Sequence, residues 1–372
     1  MNIEKNLKKI EILVCPKTKL KFSLSTLTES EEGLEGTGKL LSHKESFVRT
    51  LGGVNDVLVR EDHKVLYPVV EGIPIIMIPE MLAKSENLPK CDLSDPKYSE
   101  AYSEMTHYNK AALLEEKNIR KSTSFELLSP VLNISNKERK FFPKPMGVWI
   151  DAVYDCAAQW DVYEHIAPLQ GKRVLQLGGK GLHAIKFLFG GAEEGWLITP
   201  ILGEARFGRA LANAVGVGDR FHCVVSIAEE LPFIPNYFDI IYSGGCLHHM
   251  VTDFALSECI RVLRGGGKFG AVDPWKTCLH TWGTKILGKR ESGVYCKPLT
   301  MERVEPLFKL FNKAELLHHG ALTRYFLLML DKFKIPITLP VSWKITQLDD
   351  AFCSKIPGLL SKGSSVALLA IK

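Results

Sequence analysis

The 372-residue chain contains nine cysteines, yet no two of them form a C-x-x-C pair. They are scattered at Cys15, Cys91, Cys156, Cys223, Cys246, Cys259, Cys278, Cys296 and Cys353. That excludes a zinc site built on paired thiolates and a disulfide framework. Long apolar runs are missing as well, and nothing approaches the roughly 20 residues that a membrane-spanning helix requires. The opening Met1-Asn2-Ile3-Glu4-Lys5 runs into charge with no apolar secretion segment. The expectation is a reduced, cytoplasmic protein with no membrane partner. No charge of one sign dominates: 47 basic residues stand against 42 acidic ones, net +5, spread along the chain. Without a basic face, a nucleic-acid partner is not expected. A small-molecule substrate is, and an anionic one suits the balance equally well.

The chain is 46% hydrophobic, enough for one large domain and a small one. The large one is organised around Val174-Leu175-Gln176-Leu177-Gly178-Gly179-Lys180-Gly181-Leu182-His183-Ala184. A short apolar run reads as a buried strand, breaks into glycines, and resumes with helical spacing. Strand, glycine turn and helix start form the ligand-binding corner of a doubly wound sheet. Glycines admit close backbone approach there, and the helix start offers unpaired N–H groups.

Apolar runs at Gly195–Pro200, Phe221–Val225, Phe238–Ser243 and Lys268–Val272 read as further strands. Helical stretches at Glu204–Val215 and Asp253–Leu263 separate some of them, which implies a parallel sheet with right-handed crossovers. Gly265-Gly266-Gly267 reads as a turn. Trp149–Ile166 reads as one amphipathic helix before the first strand. Ala314–Gly320 and Ser364–Ile371 read as a terminal antiparallel pair that completes seven strands, with an apolar lid insert at about 326–360 between them. Residues 1 to about 80 read as a separate β-rich module, and 81 to 145 as a helical linker in which Tyr102, Met105, His107, Tyr108 and Asn109 form a candidate lid.

Two resemblances follow from these residues. The module opens on Val14-Cys15-Pro16 and closes on Tyr67-Pro68 with Gly72-Ile73-Pro74, and so resembles the zinc-ribbon-like domain that accompanies many methyltransferases. Metal-binding members carry a second cysteine where Thr18 stands here, so no zinc is expected. Residues 146–372 resemble a class I S-adenosylmethionine-dependent methyltransferase. Val174–Gly181, Ala228-Glu229-Glu230-Leu231-Pro232-Phe233, Phe238–Met250 and Arg261–Gly267 match four of its blocks in order. The resemblance implies a Rossmann-like α/β fold: a seven-stranded, mostly parallel sheet plus the small N-terminal domain.

It also implies a site. Gln176, Gly178, Gly179, Lys180, Gly181, Thr199, Glu204, Ala228, Glu229 and Cys246 are the expected cofactor contacts. The usual acids are replaced by Gln176, Leu197 and Ile227, so Glu204 is the candidate substitute for holding the ribose. His248 and His249 just past strand four, with Asp273 after strand five, are the catalytic candidates. Tyr108, Trp275, Lys289, Arg290, Tyr295, His319, Arg324 and Tyr325 are the substrate candidates, and no metal is expected. The implied function is methyl transfer from S-adenosylmethionine to a small metabolite. A cofactor-assisted rearrangement or elimination and a non-catalytic subunit stay open, as does the oligomeric state, a homodimer included.

Overall fold

A computed structural model describes residues 9–26, 56–62, 66–77, 96–277 and 297–372. The N-terminal module is an antiparallel sheet of β1 (Phe22–Thr26), β2 (Asp56–Arg60), β3 (Leu66–Val70) and β4 (Ile73–Pro74). It docks on its own main domain through backbone bonds. Ile76 N donates to the carbonyl of Val225, Val14 N to that of Pro232, and Ile234 N to that of Ile12. Ile10–Ile12 forms a tight helical turn. A hollow at this junction holds two cations already paired, Lys9 with Glu194 and Arg209 with Glu71.

Helices α1 (Pro96–Glu116) and α2 (Thr123–Asn133) lead to α3 (Cys156–Ile166). The expected single helix from Trp149 breaks over residues 150–155. The break has a physical cause. Asp151 turns inward to pair with Lys186 at 2.9 Å, and Gln159 Oε1 accepts the backbone N–H groups of Asp151 and Ala152. Lys186 is fully buried, so without an anion it would carry a large desolvation cost.

The main sheet runs β10-β11-β9-β8-β5-β6-β7, with β5 Arg173–Leu177, β6 Glu194–Thr199, β7 Phe221–Val225, β8 Phe238–Gly244, β9 Leu263–Pro274, β10 Lys313–His319 and β11 Ser365–Ile371. β11 is antiparallel to both neighbours and the remaining pairings are parallel. Chain order reverses at β5, which makes the carboxyl ends of β5, β6 and β8 the crevice of a doubly wound sheet. The glycine turn expected at 265–267 lies within β9, and a register shift against β8 between Phe238 and Ile240 absorbs the irregularity.

Between β5 and β10 the chain forms α4 (Leu182–Phe189), α5 (Leu202–Ala214), α6 (Thr252–Val262) and α7 (Met301–Leu310). On one face of the sheet Phe142, Trp149, Tyr163, Phe187 and Tyr242 interlock edge to face or tilted, with ring centroids 4.9–5.7 Å apart. Each such burial contributes roughly 1.5–3 kcal/mol, so the cluster rigidifies the floor beneath the glycine corner.

The expected lid at 326–360 folds as α8 (Thr323–Lys332) and α9 (Leu339–Cys353). It is pinned from beneath by His319. Nδ1 lies 2.7 Å from Asp350 and Nε2 2.8 Å from Asp161. Burial alone would lower the pKa of His319, but bonds and charge from the two carboxylates outweigh it and raise it to about 9. The folded pKa lies above the unfolded value, so this stabilisation is complete below about pH 6.5 and is lost as pH rises through about 9. Chemical denaturation at pH 6.5 and 9.5 is expected to show the parent losing on the order of 2 kcal/mol more than His319→Gln. Equal losses would dismiss the clamp.

Candidate active site

Three glycines follow β5, and all three have positive φ: Gly178 +72°, Gly179 +71° and Gly181 +80°. They serve different ends. A Cβ on Gly178 would lie 2.7 Å from Cys246 Sγ, and one on Gly181 would lie 2.6 Å from the Phe221 ring. Those two are packing glycines. Gly179 faces nothing nearer than Gln176 Nε2 at 3.6 Å. Gln176 braces the turn, donating to the Gly178 carbonyl and accepting from Ala184 N, both at 2.8 Å. The residue that stands in place of the usual acid thus shapes the loop from below.

Above the loop lies a cleft of about 160 Å³. Gly178, Gly179 and Gly245 give it backbone walls, and Ile198, Ile201 and Met250 give it apolar ones. Thr199 and Glu204 line it from β6 and α5, Ala228 from beyond β7, Cys246 and His249 from beyond β8, and Tyr108 from α1. The sequence-derived set therefore converges here in Gly178, Gly179, Thr199, Glu204, Ala228, Cys246, His249 and Tyr108. Tyr108 is carried in by α1, where Asn109 Oδ1 accepts from Gly203 N. The side chains of Tyr102, Met105 and His107 lie outside the described residues.

Among the described residues Glu204 is the one buried carboxylate lining the cleft. Thr199 Oγ1 donates to it at 2.8 Å, and burial pushes its pKa up against that bond. It is therefore a buried acceptor that further hydroxyl donors would stabilise. Sequence alignment placed Leu197 at the ribose position, and Leu197 instead lies in the core against Gly181 and Gly208.

Beyond β8, His248 Nδ1 lies 2.7 Å from Asp273 Oδ1, which also accepts the His248 backbone N–H at 3.0 Å. His249 stacks on His248 with ring centroids 3.9 Å apart and reaches the cleft. Burial, the neighbouring His248 and the charges of Arg303 and Lys297 lower the His249 pKa to about 3. It is a neutral ring at working pH and a weak base. Arg303 secures this loop by donating to the carbonyls of His248 and Met250. Asp273 Oδ2, Ser243 Oγ and His318 Nδ1 are buried at the same sheet edge without a hydrogen-bond partner among the described residues.

Other expected contacts stand elsewhere. Lys180 turns away to Glu115 at 2.6 Å. Glu229, raised to about 7 by burial, accepts from Val251 N and fixes that loop. Arg324 pairs with Asp155 and His319 with Asp161 and Asp350, so both build the α8–α9 attachment. Trp275 packs edge-on to His318, and Tyr325 meets Thr277 at 2.8 Å, both at the β9–β10 rim. Lys289, Arg290 and Tyr295 lie outside the described residues.

Sequence reasoning missed the polar layer under the corner, where Asp151, Gln159, Tyr163, His183 and Lys186 connect. His183 Nδ1 lies 2.7 Å from the Tyr163 hydroxyl, and burial lowers its pKa to about 4. The available signal was Lys186 inside the apolar run Ile185–Phe187, since a buried lysine requires an acid.

The strand order and the cleft at its reversal point define the class: this is the class I S-adenosylmethionine-dependent methyltransferase fold. Residues 202–271 match a family model described as a methyltransferase domain. The chain is 38% identical over 102 residues to the ubiquinone/menaquinone biosynthesis C-methyltransferase UbiE of Vibrio cholerae, a match covering 26% of this chain and 39% of that protein. It is 36% identical over 127 residues to the tRNA U34 carboxymethyltransferase of Methylococcus capsulatus, covering 33% and 38%. The chain thus spans about two-fifths of the length of these curated relatives. Among solved structures, geranyl diphosphate C-methyltransferase from Streptomyces coelicolor A3(2) covers 58% of this chain and 74% of its own, at 14% identity and TM-score 0.43. Among the described residues no group of three His, Cys, Asp or Glu side chains could hold a metal ion, and no helix is long and apolar enough to cross a membrane.

Proposed function

We propose that the protein is an S-adenosylmethionine-dependent methyltransferase acting on a small polar metabolite. The observation that carries the reading is Glu204, a buried carboxylate held by Thr199 between two positive-φ glycines and an apolar wall. The residues suit the cofactor. Gly179 leaves backbone open to its amino-acid arm, Glu204 is an acceptor for the ribose hydroxyls, and Ile198, Ala228 and Met250 offer apolar surface to a base. When bound, S-adenosylmethionine supplies a methyl group on a sulfonium.

The chain's own residues do the rest. An ionised Asp273 can only accept, which sets His248 in the Nδ1–H tautomer with Nε2 as its proton-accepting nitrogen. On this reading His248, stacked on the cleft-lining His249, is the base for an acceptor proton, with Asp273 as its positioning residue. His249 contributes a neutral ring to the wall. Arg303 and Lys297 bring positive charge to this end, which suits a polar acceptor.

Calorimetry with S-adenosylmethionine and its demethylated product tests the reading. Binding of both is expected, with Glu204→Gln weakening each by roughly 10–100-fold through loss of a charged acceptor. If the parent binds neither, the proposal fails. If Glu204→Gln binds like the parent, the ribose assignment fails. Methyl-labelled cofactor incubated with metabolite fractions then identifies the acceptor.

A further inference from the structure

We propose that the α8–α9 hairpin is a docking surface for an anionic lipid bilayer. The inner side of the hairpin is fixed. Asp349 accepts from Leu322 N, Thr323 N and Thr323 Oγ1, while Ser342 and Thr346 meet Cys156, and Trp343 packs on Trp160. The outer side carries two apolar stripes at helical spacing. Leu322, Phe326, Met329 and Phe333 form one, all exposed, and Phe333 is 68% exposed. Val341, Leu348 and Phe352 form the other, with Ile335 and Ile356 exposed at the ends of the hairpin. Large side chains at i, i+4 and i+7 ordinarily face a core, and here nothing among the described residues covers them.

Charge selects the occupant. Exposed Lys332, Lys334, Lys344, Lys355 and Lys362 flank the stripes, and Asp331 is the exposed acid among them. Asp349 and Asp350 are turned inward, onto the Leu322–Thr323 backbone and onto His319 and Gly320. A two-fold contact with a second copy would set the same lysine-rich patch against itself. Anionic headgroups would neutralise it, while phenylalanine and leucine enter the acyl boundary and lysine stems extend to the phosphates. The hairpin leaves the carboxyl end of β10, parallel to β9, and so begins at the sheet edge that bears the cleft. This departs from the expectation of no membrane partner drawn from the sequence. It does not depend on the reaction assigned to the cleft.

The 372-residue chain, without cofactor, is sedimented with vesicles of phosphatidylcholine alone and with vesicles holding about one-third phosphatidylglycerol. At least tenfold stronger partition into the anionic vesicles is expected, falling as salt rises. Phe333→Glu/Phe352→Glu is expected to abolish it, and Lys344→Gln/Lys355→Gln to reduce it about 25-fold, each lysine being worth about fivefold near such a surface. These side chains are exposed, so both variants should melt like the parent. Failure to bind anionic vesicles overturns the proposal, as does a Phe333→Glu/Phe352→Glu variant that binds like the parent. A parent dimer that this variant dissociates, with no vesicle binding by either, assigns the surface to a second copy.

Discussion

Gly179→Val is expected to lower affinity for S-adenosylmethionine by at least about 100-fold while the protein stays folded. Gly179 is the corner glycine that isolates ligand approach from packing. At Gly178 a Cβ meets Cys246 at 2.7 Å, and at Gly181 it meets Phe221 at 2.6 Å, so valine at either would disturb the fold as well. At Gly179 the nearest atom stands 3.6 Å away. The φ of +71° still costs a branched side chain about 1–2 kcal/mol, which is a few degrees of melting temperature. The larger effect falls on the cleft, because Gly179 is one of its walls. Calorimetry beside a thermal melt separates the two. A shifted melt with unchanged affinity would move the ligand away from this corner.

The corner was legible because its residues have few alternative uses. An apolar run that ends in three glycines and resumes with helical spacing encodes strand, turn and helix by sterics alone. The seven strands were legible for a similar reason, since buried parallel strands read as unbroken apolar runs. The reversed strand β11 showed in this way, whereas β10, Lys-Ala-Glu-Leu-Leu-His-His and only half-buried, was marked by little more than its paired leucines. The break after Trp149 was not legible. It depends on Lys186 lying opposite Asp151, a contact across 35 residues that local periodicity does not contain.

Partnership also decided which site residues could be found. Thr199 and Glu204 lie five residues apart, on a strand end and the helix that follows, and both were recognised. His319, Arg324 and Lys180 looked like substrate or cofactor contacts because they are cations near a strand end. Each is matched by an acid from a distant segment: Asp161 and Asp350, Asp155, and Glu115. A charge near an active edge is read as functional until its partner is known, and the sequence does not display the partner. The exposure of the α8–α9 stripes was hidden for the same reason. Apolar residues at helical spacing signal a buried face, and only the packing reveals that no described residue covers these.

The second large effect is expected at Asp273, a residue recognised in the sequence whose partner, His248, is 25 residues away. Asp273→Asn is expected to lower kcat by about 10²–10⁴-fold, with cofactor affinity within about threefold of the parent. The carboxylate accepts both the Nδ1 and the backbone N–H of His248 through one oxygen. An amide oxygen can keep those bonds, so the loop retains its shape. The amide lacks the negative charge that stabilises a protonated imidazole, and its NH₂ would occupy a buried position where no partner stands among the described residues. The base is thereby weakened without being removed, which gives a signature that a purely structural role would not. The pH profile of kcat should lose or shift its histidine limb, while KM for the acceptor changes much less than kcat. His249→Asn should leave that limb in place, since His249, held near a pKa of 3, does not titrate in the working range. An Asp273→Asn enzyme with parental kcat and an unchanged pH profile would reduce the Asp273–His248 pair to a loop fastening and leave methyl transfer without a protein base.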